Sequence, residues 1–324
     1  WTATWGADGP LIAMGSDIDA LLGLSQVPGS PTITPQGAGC SWTCRGAQQW
    51  VGSTETAIDQ VTVTLLKALA ATLDRRDPEP QPGQPIPPCW HWLYFPPLYR
   101  HSELGPDGHA LRGGFLPPVP LPLRMSAGAQ ITFIRPLCVG DAIQRTSRII
   151  DVSAKQGSAG SLVFVRVRHE ISNAGGLAVI DEQNIVYRER RPVGARERSS
   201  IPQVMEHDWM REIRPDALLL FRYSALTFNA HRIHYDQRYV REVEQYPGLV
   251  VHGPLIATLL LDLLRSQIPN AEVSKFTFRV IKPTYDGAIL QLYGKCAGQA
   301  VQLWATHRNG DLAMQATAEL ARAV

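Results

Sequence analysis

Apolar positions along the chain change period several times, and each change marks an element. From residue 56 to 73, Ile58, Val61, Leu65, Leu69 and Leu73 recur near the spacing of one helical face. The run stops before Asp77-Pro78, and together these features predict a helix. Strand-like runs follow at residues 130–133, 142–152, 162–171 and 177–187, separated by the turn-forming stretches VGD, QGSAG and NAGG, as in an antiparallel meander. A second set, at 273–281, 289–296, 301–307 and 312–319, comes after an apolar helix predicted from Pro254 to about Leu264. A long helix followed by a sheet able to wrap it therefore characterises the second half. The first half repeats the strand set with a different preface, and reads as a degenerate duplication.

The stretches between these elements divide the chain. Residues 1–46 are rich in Gly, Ser, Thr and Pro without sustained periodicity, and read as a poorly ordered extension. Between Pro78 and Pro122 prolines are dense, which excludes a ladder or a helix because each removes a backbone donor. The same stretch keeps Trp90, His91, Trp92, Tyr94 and Phe95, so a long loop packed on the domains, over a pocket, is expected. The charged run RERRPVGARERSS at 188–200 reads as a linker. The expected organisation is thus an extension (1–46), an N-terminal degenerate domain (47–190) and a C-terminal catalytic domain (201–324), since 324 residues exceed one average domain.

Composition narrows the function. Hydrophobic residues make up 44% and charged residues 19%, with no apolar run of about 18 residues to span a bilayer. Thirty-one Lys and Arg stand against 29 Asp and Glu, a net charge of +2 without a clustered basic stripe, so neither membrane nor nucleic acid is an expected partner. The five cysteines form neither a metal-site spacing nor a disulfide framework, and the first residues lack a basic stretch followed by an apolar run, so a cytoplasmic location is expected.

The densest chemistry is FNAHRIHYD, which places Asn229, His231, His234, Tyr235 and Asp236 within eight positions. An imidazole titrating near neutrality can take a proton from water, although such residues also pin surface loops. Downstream, HGPL puts Gly253 and Pro254 at the start of an apolar helix, behind His252. Free amides at such an end suit a carbonyl oxygen that gains negative charge, and equally a plain helix start. HRIH followed by Asp236 lacks a second ligand pair at zinc-like spacing, and no metal is expected.

YSALTFNAHRIHYD with YPGLVVHGPL resembles the signature of the MaoC-like hydratase/dehydratase family, in a double-hot-dog branch. HWLYFPPLYRHSELGPDGH and RGGFLPPVPLPLRMSAG resemble that branch's first-half signature, so the similarity runs from about Gln48 to the C-terminus. The resemblance implies an α+β double hot-dog fold, two antiparallel sheets each wrapping or facing a central helix. It also implies a hydro-lyase that adds water reversibly to a 2-enoyl-CoA, with coenzyme A entering only as part of the substrate. A mesaconyl-type thioester giving citramalyl-CoA is the expected substrate. A fatty-acid-type 3-hydroxyacyl dehydratase and a non-catalytic acyl-CoA binding module are the alternatives.

In that family an Asp and a His five residues apart activate the water, and the matching positions here are Asn229 and His234. The resemblance therefore gives proton transfer to His234, orientation to Asn229 and enolate stabilisation to the Gly253 amide. Asp236 or His231 would supply the missing acid. A free carboxylate on the substrate calls for a cation, with Arg124, Arg112 and Arg232 as candidates. Tyr94, Tyr99 and Trp92 line the acyl channel or pack the loop. A monomer or a homodimer is expected.

Overall fold

The computed structural model describes residues 48–157, 160–190 and 206–321, and four two-residue strands near the N-terminus. The latter belong to a separate unit, Trp1–Thr43, where Thr2–Ala3 pairs with Ile12–Ala13 and Leu24–Ser25 with Thr34–Pro35. The expected extension (1–46) otherwise lies outside the described residues, as does most of the expected linker.

The predicted helix over 56–73 divides in two. TETAIDQ alternates exposed and half-buried positions with period two and forms strand β1 (Thr54–Gln60), leaving Ile58 exposed. Helix α1 (Val63–Thr72) begins only after Thr62. The apolar spacing that suggested one helix mixes a strand face with a helix face. Strands β2 (Leu123–Phe133), β3 (Ala142–Gly157), β4 (Gly160–Asn173) and β5 (Gly176–Arg188) complete the first half. The second half holds β6 (Trp209–Ile213), α2 (Ala217–Leu226), α3 (Gln237–Glu242), α4 (Gly253–Gln267), β7 (Val273–Val280), β8 (Leu290–Ala297), β9 (Ala300–His307) and β10 (Leu312–Leu320). The sequence reading missed β6, α2 and α3.

The ten strands β1 to β10 form one antiparallel sheet in the order β6-β8-β9-β10-β7-β2-β5-β4-β3-β1. Each half therefore has the same internal order, first strand, third, fourth, fifth, second, and the two expected sheets are continuous through the pair β7–β2. At that seam Lys275 faces Thr132 and Arg279 faces Gly128. Gly128 has φ +145°, and a Cβ there would lie 2.2 Å from the Phe278 carbonyl oxygen, so only glycine lets the halves approach this closely.

The halves differ in what fills the concave face. α4 is apolar all round, buried from Leu255 to Leu264, and packs on β8, β9 and β10. Its one acid, Asp262, is buried and paired with Arg75 and, at 2.8 Å, with Arg211, which ties α4 to β6 and to the turn after α1. In the first half the proline-rich segment supplies a short 3-10 turn, Trp90–Leu93, instead of a long helix. Trp90, His91, Leu93, Tyr94 and Phe95 are buried there. Asp181 on β5 anchors this segment by accepting from Trp92 Nε1 at 2.9 Å and Gln183 Nε2 at 2.8 Å, with His91 Nε2 3.5 Å away. Burial alone would raise the Asp181 carboxyl, but His91, His169 and Trp92 hold it below its ordinary value.

Replacing Asp181 by Ala leaves an indole N–H and an imidazole buried without their acceptor. Urea unfolding of this variant is expected to show a loss of about 3 kcal/mol or more.

Candidate active site

The loop between α2 and α4 carries the histidines. Phe228, with φ +50°, ends the helical run and turns Asn229 out of it. Asn229 Oδ1 accepts from the His231 amide at 3.0 Å, which starts a short 3-10 turn, Arg232–His234. Asp236 does not face the histidines: it caps α3 by accepting from the Tyr239 amide at 2.9 Å and pairs with Arg232 at 2.7 Å. The reading that offered Asp236 as the missing acid is corrected, because both its oxygens serve the loop.

His234 is buried, and its Nδ1 lies 2.6 Å from the Val250 carbonyl. A carbonyl only accepts, so Nδ1 carries the proton and Nε2 keeps a lone pair. Burial lowers the His234 pKa to about 4, against the opposing pull of the Val250 carbonyl, so the ring is neutral near pH 7. Its face stacks on His252, with ring centroids 3.6 Å apart, and His252 Nε2 lies 2.8 Å from Ser224 Oγ on α2. Burial and the neighbouring His234 hold His252 well below its ordinary pKa as well. His252 is the residue before α4 and gives it no side-chain cap, so the first amides, from Gly253 onward, start a buried apolar helix with the positive end of its dipole exposed to the cavity that Gly253 lines.

That cavity has a volume of about 1150 Å³ and is lined by Asn229, His231, His234, His252, Gly253 and Arg124. The sequence-named catalytic residues are thus brought together. His109, which the motif reading did not single out, also lines it, with its ring 3.9 Å from that of His231, itself 5.4 Å from His234. His109 arrives on the proline-rich segment, held by Asp107 across a 3.0 Å contact between Nδ1 and Oδ2. The signal for it in the sequence was the turn PDGH in a stretch too rich in aromatics to be a linker. Among the described residues, Asp107, His109 and His231 each bring a ligand-type atom within 4.8 Å of the others, a grouping that could hold a metal ion.

Of the three arginines, only Arg124 lines the cavity, and its charge acts on His109, His231 and Tyr187. Arg112 donates to the carbonyls of Val119 and Pro122, and Arg232 to Asp236 and the Pro106 carbonyl. Tyr94 is corrected too: its hydroxyl donates to the Thr62 carbonyl at 3.3 Å, and burial pushes its pKa up to about 12. Trp92 is committed to Asp181, and Tyr99 is largely exposed, so these three aromatics serve the loop and not the channel.

The family model for hydroxyacyl-thioester dehydratase type 2 matches residues 89–286, spanning the Asp107–His109 turn, the histidine loop and the start of α4. The chain belongs to this family. Mesaconyl-C(4)-CoA hydratase from Chloroflexus aurantiacus is 45% identical over 273 residues, which is 84% of this chain and 96% of that protein. Among solved structures, HtdX from Mycobacterium tuberculosis superposes with a TM-score of 0.61 at 19% identity, covering 82% of this chain and 98% of its own. A second M. tuberculosis protein, described as having a double hotdog fold, superposes with a TM-score of 0.54 at 13% identity, over 83% of this chain and 96% of that one. The fold of this dehydratase-family member is the MaoC-like double hot dog.

Because His234 is neutral in the fold down to about pH 4, the acid limb of kcat/KM is expected near that value and not near 6.5. The unfolded ring protonates at about 6.5, so the unfolded state binds more protons between the two values. The stability this burial confers is complete above about pH 6.5 and is lost as pH falls toward 4, with His169, lowered to about 4 by burial, acting in the same sense. Activity profiles and urea midpoints measured from pH 4 to 8 test both statements.

Proposed function

We propose that this hydro-lyase adds water to mesaconyl-CoA carrying its thioester at carbon 4, giving citramalyl-CoA. In that substrate the carbon that receives water also bears the free carboxylate. A cation that recognises it must therefore sit beside the water-activating base and not at the far end of an acyl tunnel. Arg124 lines the same cavity as His234, and its charge bears on His231, whose ring lies 5.4 Å from that of His234; this shared lining carries the reading. The likeness to the Chloroflexus enzyme supports the same substrate.

In this reading each group has a task. The His234 Nε2 lone pair takes a proton from water as its oxygen bonds to the β-carbon. The π electrons move onto the thioester oxygen, where the Gly253 amide and the α4 dipole stabilise the charge. The imidazolium then returns the proton to the α-carbon. No cofactor beyond the coenzyme A moiety takes part. Arg188, Arg190, Arg241, Arg279 and Lys282 line the same cavity against one acid, Glu244, which suits the phosphates of coenzyme A. All the residues used lie in one chain, so a monomer suffices.

We place the protein in the cytoplasm, where the thiols of Cys89, Cys138 and Cys296 stay reduced. No helix among the described residues is long and apolar enough to cross a membrane. The fatty-acid-type dehydratase reading uses the same residues in reverse, and membership of the hydroxyacyl-thioester dehydratase family favours it as the second choice.

Hydration is followed as loss of enoyl-thioester absorbance with mesaconyl-C4-CoA, crotonyl-CoA and a longer enoyl-CoA. His234→Ala should abolish turnover of all three. Arg124→Ala should lower kcat/KM about 10²-fold for the dicarboxylic thioester while sparing crotonyl-CoA, as expected for one buried charge-assisted pair. Equal rates for wild type and His234→Ala would reject catalysis and leave a binding module. A preference for the long chain that Arg124→Ala does not alter would favour the dehydratase.

A further inference from the structure

Hydration as described rests on a water held by two acceptors, one that takes its proton and one that keeps the second hydrogen so that a lone pair faces the β-carbon. Within the motif of the second half, Asp236 is spent on α3 and Arg232, Asn229 Oδ1 accepts from the His231 amide, and the His231 ring packs on that of His109 at 3.9 Å. The first half supplies a further acceptor, itself held by a carboxylate. His109 Nδ1 faces the Asp107 carboxylate at 3.0 Å, and Asp107 Oδ1 also accepts from the His109 amide at 3.0 Å, so two hydrogen bonds fix the ring.

We infer that the Asp107–His109 pair is the second member of the water-activating machinery, with His109 Nε2 touching the reacting water and Asp107 positioning the ring. The inference rests on the hydratase reading and deepens it. In the step, the water gives one proton to His234 Nε2 and its oxygen bonds to the β-carbon while the π pair moves to the thioester oxygen. The second hydrogen stays on the new hydroxyl, hydrogen-bonded to His109 Nε2 throughout. The imidazolium of His234 then protonates the α-carbon, so no group ends the cycle with an extra or missing proton. As positive charge develops on the attacking oxygen, Asp107 strengthens His109 as an acceptor, the task a carboxylate at position 229 would otherwise perform.

The construction of the turn supports this role. A Cβ on Gly108, which has φ +86°, would lie 1.8 Å from the Ala230 carbonyl oxygen, so the turn presses directly on the histidine loop. The Arg232 amide donates to the Asp107 carbonyl at 2.9 Å, and Arg232 Nη1 donates to the Pro106 carbonyl at 2.9 Å. The two loops are thus clasped on either side of His231. With His109 Nδ1 donating to the Asp107 carboxylate, Nε2 keeps its lone pair as an acceptor.

The test uses the full chain with mesaconyl-C4-CoA and crotonyl-CoA. His109→Ala should lower kcat about 10²-fold or more on both, with KM little changed and part of the rate restored by added imidazole. Asp107→Asn should lower kcat about tenfold, and His109→Gln serves where the alanine variant unfolds. Wild-type kcat in His109→Ala and His109→Gln, alongside an inactive His234→Ala, would overturn this inference and leave the proposed reaction standing. A wild type that hydrates neither thioester would overturn both. A loss of rate that imidazole does not restore and that tracks a lower melting temperature would overturn it in favour of a structural role. Loss on dialysis against EDTA with recovery on adding Zn²⁺ would overturn it in favour of a metal site.

Discussion

The hydrogen bond from His234 Nδ1 to the Val250 carbonyl is the contact on which the site depends. It sets the tautomer, aims the opposite nitrogen into the cavity and does so in surroundings dry enough to keep the ring neutral. The Val250 carbonyl is available because the strand-like stretch before α4 runs past the 3-10 turn, with the Val250 amide donating in return to the Ile233 carbonyl at 2.9 Å. The anchor of the proposed base, Val250, and the proposed oxyanion donor, Gly253, therefore lie three residues apart on one segment, and the orientation of His234 follows from the backbone that leads into the buried helix.

The repeated strand order leaves the two halves with different contributions to the cavity. Both halves repeat one strand order, yet only the second places a long apolar helix on its face of the sheet. In the first half the aromatic segment around Trp90 fills that space and holds itself with a buried carboxylate. Freed from forming a helix, the rest of the proline-rich segment reaches across to the histidine loop, which is how Asp107 and His109 arrive there.

Much of this was legible in the sequence. Eight strands and α4 carried clean periodicity, because each buries one face or is buried all round. Four elements did not. β1 was taken into a helix because Val61 and Leu65 continued its apolar spacing by coincidence, β6 and α2 are short segments whose pattern is set by packing partners far away in the chain, and α3 spans only six residues. At the site, density of polar side chains pointed to Asn229, His231 and His234, which line one cavity. Nothing local could show that Asp236, Arg112 and Tyr94 are occupied by backbone groups, nor that His109 joins the cluster from more than a hundred positions upstream, since these are facts of tertiary contact.

The seam at Gly128 fixes more than shape. Fusing two copies through a shared ladder makes their pairing permanent, so a pseudo-twofold that would otherwise generate two equivalent reaction centres is free to become unequal. Among the described residues only the second half brings a long buried helix and a histidine loop to the cavity, so the proposed reaction has a single centre per polypeptide, whatever assembly it joins.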